Sequence, residues 1–384
     1  MVNLELYEKL RRVLSKGDNI VGTGEAVPLP KNKASQKLLT NMFTEEEAKL
    51  ITTCFTEGGE IKNLSTLRKL MGISREELKA KLEDMFEKGK IRKTGPYYYI
   101  LPYSPGGFDA YFIASRDDPD RLKKVAEAHW ELCDSGLAYE LSASNLGRFR
   151  IMPAMDSKTK VIELNQPMEI ENQIMPYEII QDLVKTFPEP FALLYRCPCR
   201  QVTKLIGEPC KVTDEINCMI SGIGAHNAIE QGVARQVSRE EFIEHLKKAE
   251  ELGLVHQTTN LQSNSLFFCN CCTCCCGFLK TIKKYRNYGA ITKSNFEPNI
   301  DRELCTLCET CINICPMEAI YHHWPHTDDL SDNYMRVRIE YCIGCGLCAS
   351  HCPSDAISLV KVRNYEPYKS SSELLEAINR NRTH

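Results

Sequence analysis

The chain has 384 residues, of which 43% are hydrophobic and 26% charged, and its formal net charge at pH 7 is −3. This composition is typical of a globular protein of two to four domains, and the near-neutral charge gives no reason to expect nucleic acid or an acidic membrane surface as a partner. No stretch approaches 18 apolar residues, and Met1–Lys16 lacks the apolar run of a signal peptide, so we expect a cytoplasmic protein without a membrane span.

Residues from about 40 to 103 predict three helices followed by a hairpin. Capping boxes at Thr44–Glu47 and Ser74–Glu77 begin the first and third helices, and the second runs from about Ser65 to Met71. Short strands on either side of Gly95-Pro96 complete the hairpin. This order resembles a winged-helix domain.

Downstream, helix and strand signals are mixed. Pro176-Tyr177-Glu178 begins an amphipathic helix, and Ser238 with Glu241 caps another helix that ends at Gly253. The short polar tail after about residue 363 is expected to dock loosely or fray.

Cysteine is the residue type that decides the interpretation. Twenty cysteines are present, and eighteen of them lie between Cys197 and Cys352. Disulfide frameworks belong to short secreted chains, so a reducing compartment and metal ligation explain these cysteines better.

A duplicated motif lies near the end of the chain. Cys305-x₂-Cys308-x₂-Cys311-x₃-Cys315-Pro316 recurs as Cys342-x₂-Cys345-x₂-Cys348-x₃-Cys352-Pro353. Three cysteines at this spacing fill three iron corners of one cubane, and the fourth reaches the other cubane, which brings the two clusters close together. The predicted ligands are a first quartet of Cys305, Cys308, Cys311 and Cys352, and a second quartet of Cys342, Cys345, Cys348 and Cys315, each holding one [4Fe-4S] cluster.

This repeat resembles the two-cluster bacterial ferredoxins over about residues 297–362. The resemblance implies a pseudo-twofold fold of hairpins and short helices and one-electron chemistry at low potential. The first half departs from the usual pattern, because Glu309 stands where glycine commonly follows the second cysteine.

Ten more cysteines lie upstream of the repeat. So many thiolates in a chain without a secretion signal repel one another unless a cation neutralises them, which favours one or two additional iron–sulfur clusters, with zinc as the competing metal. Neighbours such as Cys271 and Cys272 point in different directions, so we expect that they serve different centres or that one of them lies beside a cluster without binding it. The candidate metal ligands are Cys197, Cys199, Cys210, Cys218, Cys269, Cys271, Cys272, Cys274, Cys275 and Cys276.

The stretch from about 175 to 362 resembles a family of 4Fe-4S binding proteins associated with anaerobes. The matching segments are Met175-Pro176-Tyr177-Glu178, Cys197-x-Cys199-Arg200, Gly253-Leu254-Val255-His256, and Cys269–Cys276 followed by the repeat. The resemblance implies an electron-carrying protein, often a subunit of a larger oxidoreductase, and names no substrate. We expect His226 and His256 each to be a packed or surface histidine rather than a cluster ligand.

Together these features predict an α+β multidomain protein. The predicted parts are a winged-helix-like domain (1–105), a mixed α+β connecting domain (106–190), a cysteine-rich Fe-S or Zn domain (191–296), a two-[4Fe-4S] ferredoxin domain (297–362) and a C-terminal tail (363–384).

We expect a non-catalytic electron-transfer subunit whose partners are oxidoreductase subunits, a flavoprotein or a soluble carrier. Val21-Gly22-Thr23-Gly24 lacks the third glycine of a dinucleotide site, so no flavin or NAD site is recognised. One alternative is a redox-sensing winged-helix regulator that binds DNA. The charge balance argues against it, because residues 41–93 carry eleven Lys/Arg and ten Asp/Glu and so lack the basic excess of a DNA-binding protein. Another is a reductase acting directly at an upstream cluster.

Overall fold

The computed structural model describes residues 3–19, 24–144, 146–155, 174–324 and 333–382. Its N-terminal part combines helices with small sheets. The elements there are α1 (Leu4–Leu14), β1 (Asp18–Asn19), β2 (Gly24–Glu25), α2 (Lys33–Met42), α3 (Glu45–Cys54), β3 (Ile61–Asn63), α4 (Leu64–Met71), α5 (Arg75–Glu87), β4 (Arg92–Thr94) and β5 (Tyr97–Tyr99).

The predicted helix starts are confirmed. The Thr44 hydroxyl accepts from the Glu47 N–H while the Glu47 carboxylate accepts from the Thr44 N–H, and the Ser74 hydroxyl accepts from the Glu77 N–H. Gly72 ends α4 in the left-handed conformation, with φ of 67°. Each cap satisfies backbone groups that the helix itself leaves unpaired.

One strand was not predicted. β3 pairs with β5, which also pairs with β4, so that three antiparallel strands form one sheet. Ile61-Lys62-Asn63 is too short to show the period-2 alternation that marks a strand in sequence. The resemblance of this region to a winged helix stays a prediction.

The N-terminal core continues past residue 105. Helices α6 (Phe108–Ala114) and α7 (Pro119–Leu132) add Phe112, Leu122 and Val125 to the buried cluster that contains Leu10 and Leu38. The short helix α8 (Ala138–Glu140) follows. The segment from 106 to about 140 therefore packs with the N-terminal helices, and the predicted domain boundaries remain a prediction.

Seven strands of the described residues form the central sheet, in the order β12-β6-β10-β11-β8-β7-β9, antiparallel except for β12 with β6. Every residue of β10 is buried. The elements of this part are β6 (Phe149–Met152), a 3₁₀ turn (Pro176–Glu178), α9 (Ile180–Lys185), β7 (Phe191–Leu194), α10 (Pro198–Leu205), β8 (Met219–Ser221), α11 (Gly222–Glu230), β9 (Ala234–Val237), α12 (Arg239–Glu251), β10 (Val255–Thr259), β11 (Phe267–Cys271), α13 (Gly277–Tyr285), a 3₁₀ turn (Tyr288–Ala290) and β12 (Ile291–Thr292).

The C-terminal module holds two antiparallel strand pairs and two short helices. Its elements are β13 (Phe296–Ile300), α14 (Thr310–Ile314), β14 (Ile320–His323), β15 (Tyr334–Val337), α15 (Leu347–Ser350) and β16 (Ile357–Lys361), with β13 paired to β16 and β14 to β15. The Ala154 N–H donates to the Cys345 carbonyl at 2.9 Å, and the Ser294 N–H donates to the Ile343 carbonyl at 3.1 Å. These bonds fix the module to the rest of the chain.

The tail differs from the expectation of loose docking. Helix α16 (Ser371–Arg380) buries Leu374 and Ile378 against Leu261. The two apolar residues stand four apart on one helix face, so a short amphipathic helix suffices to anchor the tail. In the described ranges, no helix has the length and apolar character that crossing a bilayer requires.

Candidate metal centres

The C-terminal module brings each predicted quartet together around its own small cavity. Cys305, Cys308, Cys311 and Cys352 of the first quartet line one cavity. Cys315, Cys342, Cys345 and Cys348 of the second quartet line another. The fourth cysteine of each motif thus lies beside the three cysteines of the other motif, the crossing that the spacing predicts.

The two quartets differ in their access to solvent. Each quartet has one buried cysteine, Cys311 or Cys348, but the first quartet has an exposed member, Cys308, whereas no cysteine of the second quartet is exposed. The backbone N–H of Gly344 donates to Cys342 Sγ at 3.4 Å, and that of Ala319 donates to Cys315 Sγ at 3.3 Å. Such N–H···S bonds to ligand sulfurs are among the features that set a cluster's reduction potential.

The upstream cysteines separate into two groups. One is a closed ring in which each thiol contacts the next, with Cys218 Sγ 3.6 Å from Cys197 Sγ. We call Cys197, Cys199, Cys276, Cys271, Cys269 and Cys218, in that order, the six-cysteine ring. The remaining Cys210, Cys272, Cys274 and Cys275 form a compact cluster, the four-cysteine group.

Strand geometry explains why the side chains of Cys271 and Cys272 lie in different groups. Cys269 and Cys271 are two residues apart in β11, so their side chains leave the same face of the strand. The strand ends at Cys271, and the side chain of Cys272, in the turn that follows, lies in the four-cysteine group. The turn ends at Cys276, which is the N-cap residue of α13 and again a member of the ring.

The ring supplies donors that need a cation. All twenty cysteines lie in the described ranges, and none forms a disulfide. Hydrogen bonding to Cys197 and Cys276 raises the pKa of Cys199 well above its usual range, and hydrogen bonding to Cys269 and Cys276 does the same for Cys271. Because burial and neighbouring thiolates both oppose ionisation, the ring can hold several thiolates at once only around a positively charged centre. The donor set therefore fits an iron–sulfur cluster.

A buried arginine lies between the two upstream groups. Burial works to lower the pKa of Arg200, but the thiolates of Cys197 and Cys272, which belong to different groups, raise it above its usual value. Its guanidinium donates to the carbonyls of Asn270, at 2.9 Å, and Ile216. The sequence analysis identified Arg200 within the Cys197-x-Cys199-Arg200 motif, but it did not predict that this arginine lies between the two cysteine groups.

Two further polar residues contact the cysteines directly. The Thr203 hydroxyl lies 3.1 Å from Cys275 Sγ, and the Asn217 side-chain oxygen accepts from the Cys197 N–H at 3.1 Å. Asn217 stands next to Cys218, which was the only sequence signal for its role. His256 is buried against Asn270, with its Nδ1 3.0 Å from the amide oxygen, and His226 is exposed, so neither joins the cysteine groups.

The ring borders a cavity of about 240 Å³ between the central sheet and the N-terminal helices. Its walls are largely apolar and aromatic, with Phe108, Trp130 and Phe278 among them, and Arg92 and Asp109 are among the polar groups. Burial raises the pKa of Asp109 to about 6. The interrupted glycine pattern lies mostly outside the described residues, with only Gly24 inside them.

One apolar cluster connects the ring to the second quartet. Cys271 and Cys276 pack with Leu279, Met317 and Ile343, and Cys315 and Cys345 pack against the same cluster. Cys311 of the first quartet and Cys348 of the second are buried together in another cluster. The three centres therefore follow one another from the first quartet, through the second quartet, to the ring.

Comparison with known proteins agrees with the C-terminal part of this picture. Residues 304–357 match the family described as a 4Fe-4S dicluster domain. The chain is 36% identical over 70 residues to pyruvate synthase subunit PorD of Methanocaldococcus jannaschii, covering 18% of this chain and 73% of the relative. It is 40% identical over 63 residues to an uncharacterised ferredoxin of the same organism, covering 16% and 75%.

A third relative is more distant. The delta subunit of NADH-dependent phenylglyoxylate dehydrogenase from Aromatoleum evansii is 30% identical over 59 residues, covering 15% of this chain and 55% of the relative. The chain carries multiple [4Fe-4S] clusters and has an electron-transfer iron–sulfur role. Through its C-terminal module, it belongs to the family of 4Fe-4S dicluster ferredoxins.

Proposed function

We propose that the chain is an electron-transfer subunit of an oxidoreductase complex and relays single electrons between a partner and the six-cysteine ring. The observation that carries the proposal is the row of three cysteine centres. The apolar cluster around Met317 and Ile343 joins the ring to the second quartet, and a second cluster that contains Cys311 and Cys348 joins the two quartets. Clusters held close together in a dry, rigid interior exchange electrons without large reorganisation of solvent.

The two small cavities support the following ligand assignment, which is part of the proposal. The first quartet holds one [4Fe-4S] cluster, the second quartet holds another, and the six-cysteine ring provides the ligands of a third. A cubane takes four thiolates, so two thiols of the ring remain as neighbours of the cluster, or as donors of hydrogen bonds to its sulfurs.

The exposed end of the row is where a partner would exchange electrons. Cys308 of the first quartet reaches solvent, whereas the ring lies under the N-terminal helices. Two of the relatives described above are subunits of pyruvate synthase and of phenylglyoxylate dehydrogenase. Membership of a comparable complex is part of the proposal.

Helix α13 carries a basic run, formed by Lys280, Lys283 and Lys284, that does not serve as a free docking surface. Lys280 pairs with Glu208 at 3.4 Å, Lys283 with Glu318 at 2.5 Å and Lys284 with Asp134 at 2.7 Å. These ion pairs join α13 to other parts of the same chain, so the run contributes to internal cohesion.

The hairpin of the N-terminal part is likewise engaged within the chain, which disfavours DNA binding. Arg92 donates to the Gln231 side-chain oxygen at 2.6 Å, and the Asn227 amide donates to the Tyr99 hydroxyl at 3.0 Å. A winged-helix hairpin bound this way to the end of α11 is not free to enter a groove. An electrophoretic mobility shift assay with genomic fragments, at a stated salt concentration, tests the alternative that the chain is a DNA-binding regulator. A sequence-selective shift would support that alternative.

The proposal is tested on full-length protein purified anaerobically. We expect about 12 irons per chain, four for each of three clusters, and a matching amount of acid-labile sulfide. Cys345→Ser should reduce the iron by about four and change the low-temperature EPR spectrum of the reduced protein. Cys54→Ala removes a buried thiol of the N-terminal core that belongs to none of the cysteine groups, and it should leave iron unchanged.

Complex membership needs a separate measurement. A tagged chain isolated anaerobically from its native host should retain other oxidoreductase subunits in fixed stoichiometry. Isolation of iron-loaded protein without any other subunit, at every salt concentration tried, would contradict complex membership but would remain consistent with an electron carrier. An iron-free, colourless preparation would remove both.

A second candidate, reduction of a substrate at the ring, is favoured by the cavity. Much of its wall lies beyond the cysteines, formed by Phe108, Trp130 and Phe278, which suits a small apolar or aromatic compound. Benzene is a suitable neutral probe, because apolar cavities bind it. Binding should alter the EPR signal of the ring's cluster and spare the ferredoxin signals, and Ala228→Phe, which fills the cavity wall, should abolish the change. Unchanged spectra at saturating benzene would leave the relay as the sole function.

A further inference from the structure

The four-cysteine group is the one cysteine set in the described ranges whose sulfurs all lie within 4.8 Å of one another. Cys210 Sγ lies 3.6 Å from Cys272 Sγ and 3.9 Å from Cys274 Sγ. Cys274 Sγ lies 3.1 Å from Cys272 Sγ and 3.7 Å from Cys275 Sγ.

These separations match ligands that share one metal ion. Thiolates bound tetrahedrally to zinc at about 2.3 Å stand roughly 3.8 Å apart, the edge of the tetrahedron. The four sulfurs of a cubane bind four different irons and must stand farther apart. Across the described ranges, no second set of three or more Cys, His, Asp or Glu ligand atoms is this compact, and both ferredoxin quartets are wider.

We propose that Cys210, Cys272, Cys274 and Cys275 bind a single structural zinc ion. Zinc has no geometric preference from its d electrons, so it accommodates the short Cys272–Cys274 edge within a Cys₄ site. Four cysteines fill its coordination sphere, which is typical of a structural site and leaves no position for a substrate.

The position of the group explains what the ion does. Cys210 lies in the segment 206–218, which has neither helix nor strand, and the exposed Lys211 and Val212 follow it. The other three cysteines lie in the turn between β11 and α13. The zinc ion would tie the irregular segment to this turn and so fix Cys271 and Cys276, the ring members at either end of the turn.

Neighbouring donors support thiolates in this group. The Thr203 hydroxyl donates to Cys275 Sγ, and the backbone N–H of Lys211 donates to Cys274. Arg200 adds a positive charge close to Cys272. Hydrogen bonds of this kind orient the ligands of metal sites and strengthen their hold on the metal.

The zinc site does not rest on the proposed electron relay, because a redox-inert ion takes no electron. Full-length protein produced with iron and zinc both supplied, and purified anaerobically, is measured for both metals and by zinc K-edge X-ray absorption. We expect one zinc per chain with four sulfur neighbours at about 2.3 Å. Absence of zinc, or nitrogen and oxygen neighbours, overturns the proposal while the relay stands.

Variants separate this site from the clusters. Cys274→Ser should lower zinc at least tenfold with iron unchanged, and it should expose the bond after Lys211 to trypsin. Cys345→Ser, in the second quartet, should lower iron by about four with zinc unchanged, and Cys54→Ala should change neither metal. A loss of about four irons in Cys274→Ser overturns the proposal. If that variant fails to fold, the X-ray absorption result on the unaltered protein decides alone.

Discussion

Glu309 and Gly346 occupy the same position in the two halves of the ferredoxin module, and both adopt the left-handed backbone conformation. Their φ angles are 59° and 76°, and each residue directly precedes a short helix, α14 or α15. Leu307 and Gly344, with φ of 56° and 71°, form a second such pair two residues earlier. The duplication is thus present in the backbone as well as in the cysteine spacing, but only the second half has glycine at these two positions.

Glu309→Gly should stabilise the module. The left-handed conformation costs a non-glycine residue about 1–2 kcal/mol, so glycine should recover about 1 kcal/mol after its greater freedom in the unfolded chain is subtracted. The Glu309 carboxylate lies 3.3 Å from His322 Nδ1, an exposed contact whose loss is small. The measurement is the urea midpoint for loss of cluster absorbance, under anaerobic conditions, with iron content as the control.

Gly346→Ala is the matched variant in the other half and should act in the opposite direction. A methyl group there meets Leu359 Cδ1 at 3.0 Å and the Ala154 nitrogen at 3.1 Å, in addition to the unfavourable φ. An equal or higher midpoint for Gly346→Ala would show that backbone conformation at these positions does not limit stability.

Gly344→Ala should prevent assembly of the second cluster. A Cβ at this position would overlap both the Ser294 hydroxyl and the Phe296 carbonyl, and Ser294 in turn donates to the Gly344 carbonyl at 2.6 Å. We expect iron to fall by about four per chain. Gly95→Ala is a suitable control, because Gly95 also has positive φ but open space around it, so its variant should cost about 1 kcal/mol without loss of iron.

The sequence was sufficient for features that depend on local spacing. Two crossed quartets could be predicted because three cysteines spaced three positions apart can wrap only one cubane. The caps at Thr44 and Ser74 could be predicted because each involves two residues that are also three positions apart. The period-2 alternation of β11 could also have placed Cys269 and Cys271 in one group, had the strand been recognised.

Contacts between distant segments were beyond the reach of the sequence. Cys210 meets Cys272 across 62 positions of chain, through a segment without regular structure, so no periodicity signals their association. The cavity forms where the N-terminal helices meet the central sheet, and neither part reveals it separately. The packing of α7 onto the N-terminal core likewise depends on which faces of the helices meet in three dimensions.

Arg200→Gln should lower the reduction potential of the cluster held by the six-cysteine ring. Reduction adds a negative charge, which the buried guanidinium beside Cys197 stabilises. Removing one charge at a distance of several ångströms from a buried centre corresponds to a shift on the order of 50–100 mV. The measurement is an EPR-monitored redox titration of the ring's signal.

Arg200→Lys distinguishes charge from geometry. It keeps the positive charge but loses the two-armed contact with the Asn270 and Ile216 carbonyls, so its potential should stay nearer to that of the unaltered protein. Equal shifts in the lysine and glutamine variants would show that Arg200 acts by supporting the backbone rather than by its charge.

Lys90 should be the most costly single charge to remove from the N-terminal part. Its ammonium, 1% exposed, lies 2.8 Å from Asp117 and 3.0 Å from Glu47. Lys90→Met would leave both carboxylates without this partner, at a cost of about 3–5 kcal/mol. The surface variant Lys37→Met, which breaks the half-exposed pair with Glu131, should cost less than about 1 kcal/mol.

The pH dependence of Lys90→Met follows from the same ion pairs. Burial works to raise the pKa of Asp117, but the bond to Lys90 outweighs it, so the pKa in the folded protein lies below its usual value. In the unaltered protein, the contribution of Asp117 to stability is therefore present at neutral pH and is lost as the pH falls through that lowered pKa. Without Lys90, burial should raise the pKa of Asp117 instead. The deficit of Lys90→Met should therefore be largest near pH 8 and shrink towards pH 5, as the Asp117 carboxylate binds a proton. Urea unfolding followed by far-UV circular dichroism measures the deficit, and one that does not change over this range would show that packing of the lysine side chain, rather than its charge, stabilises the contact.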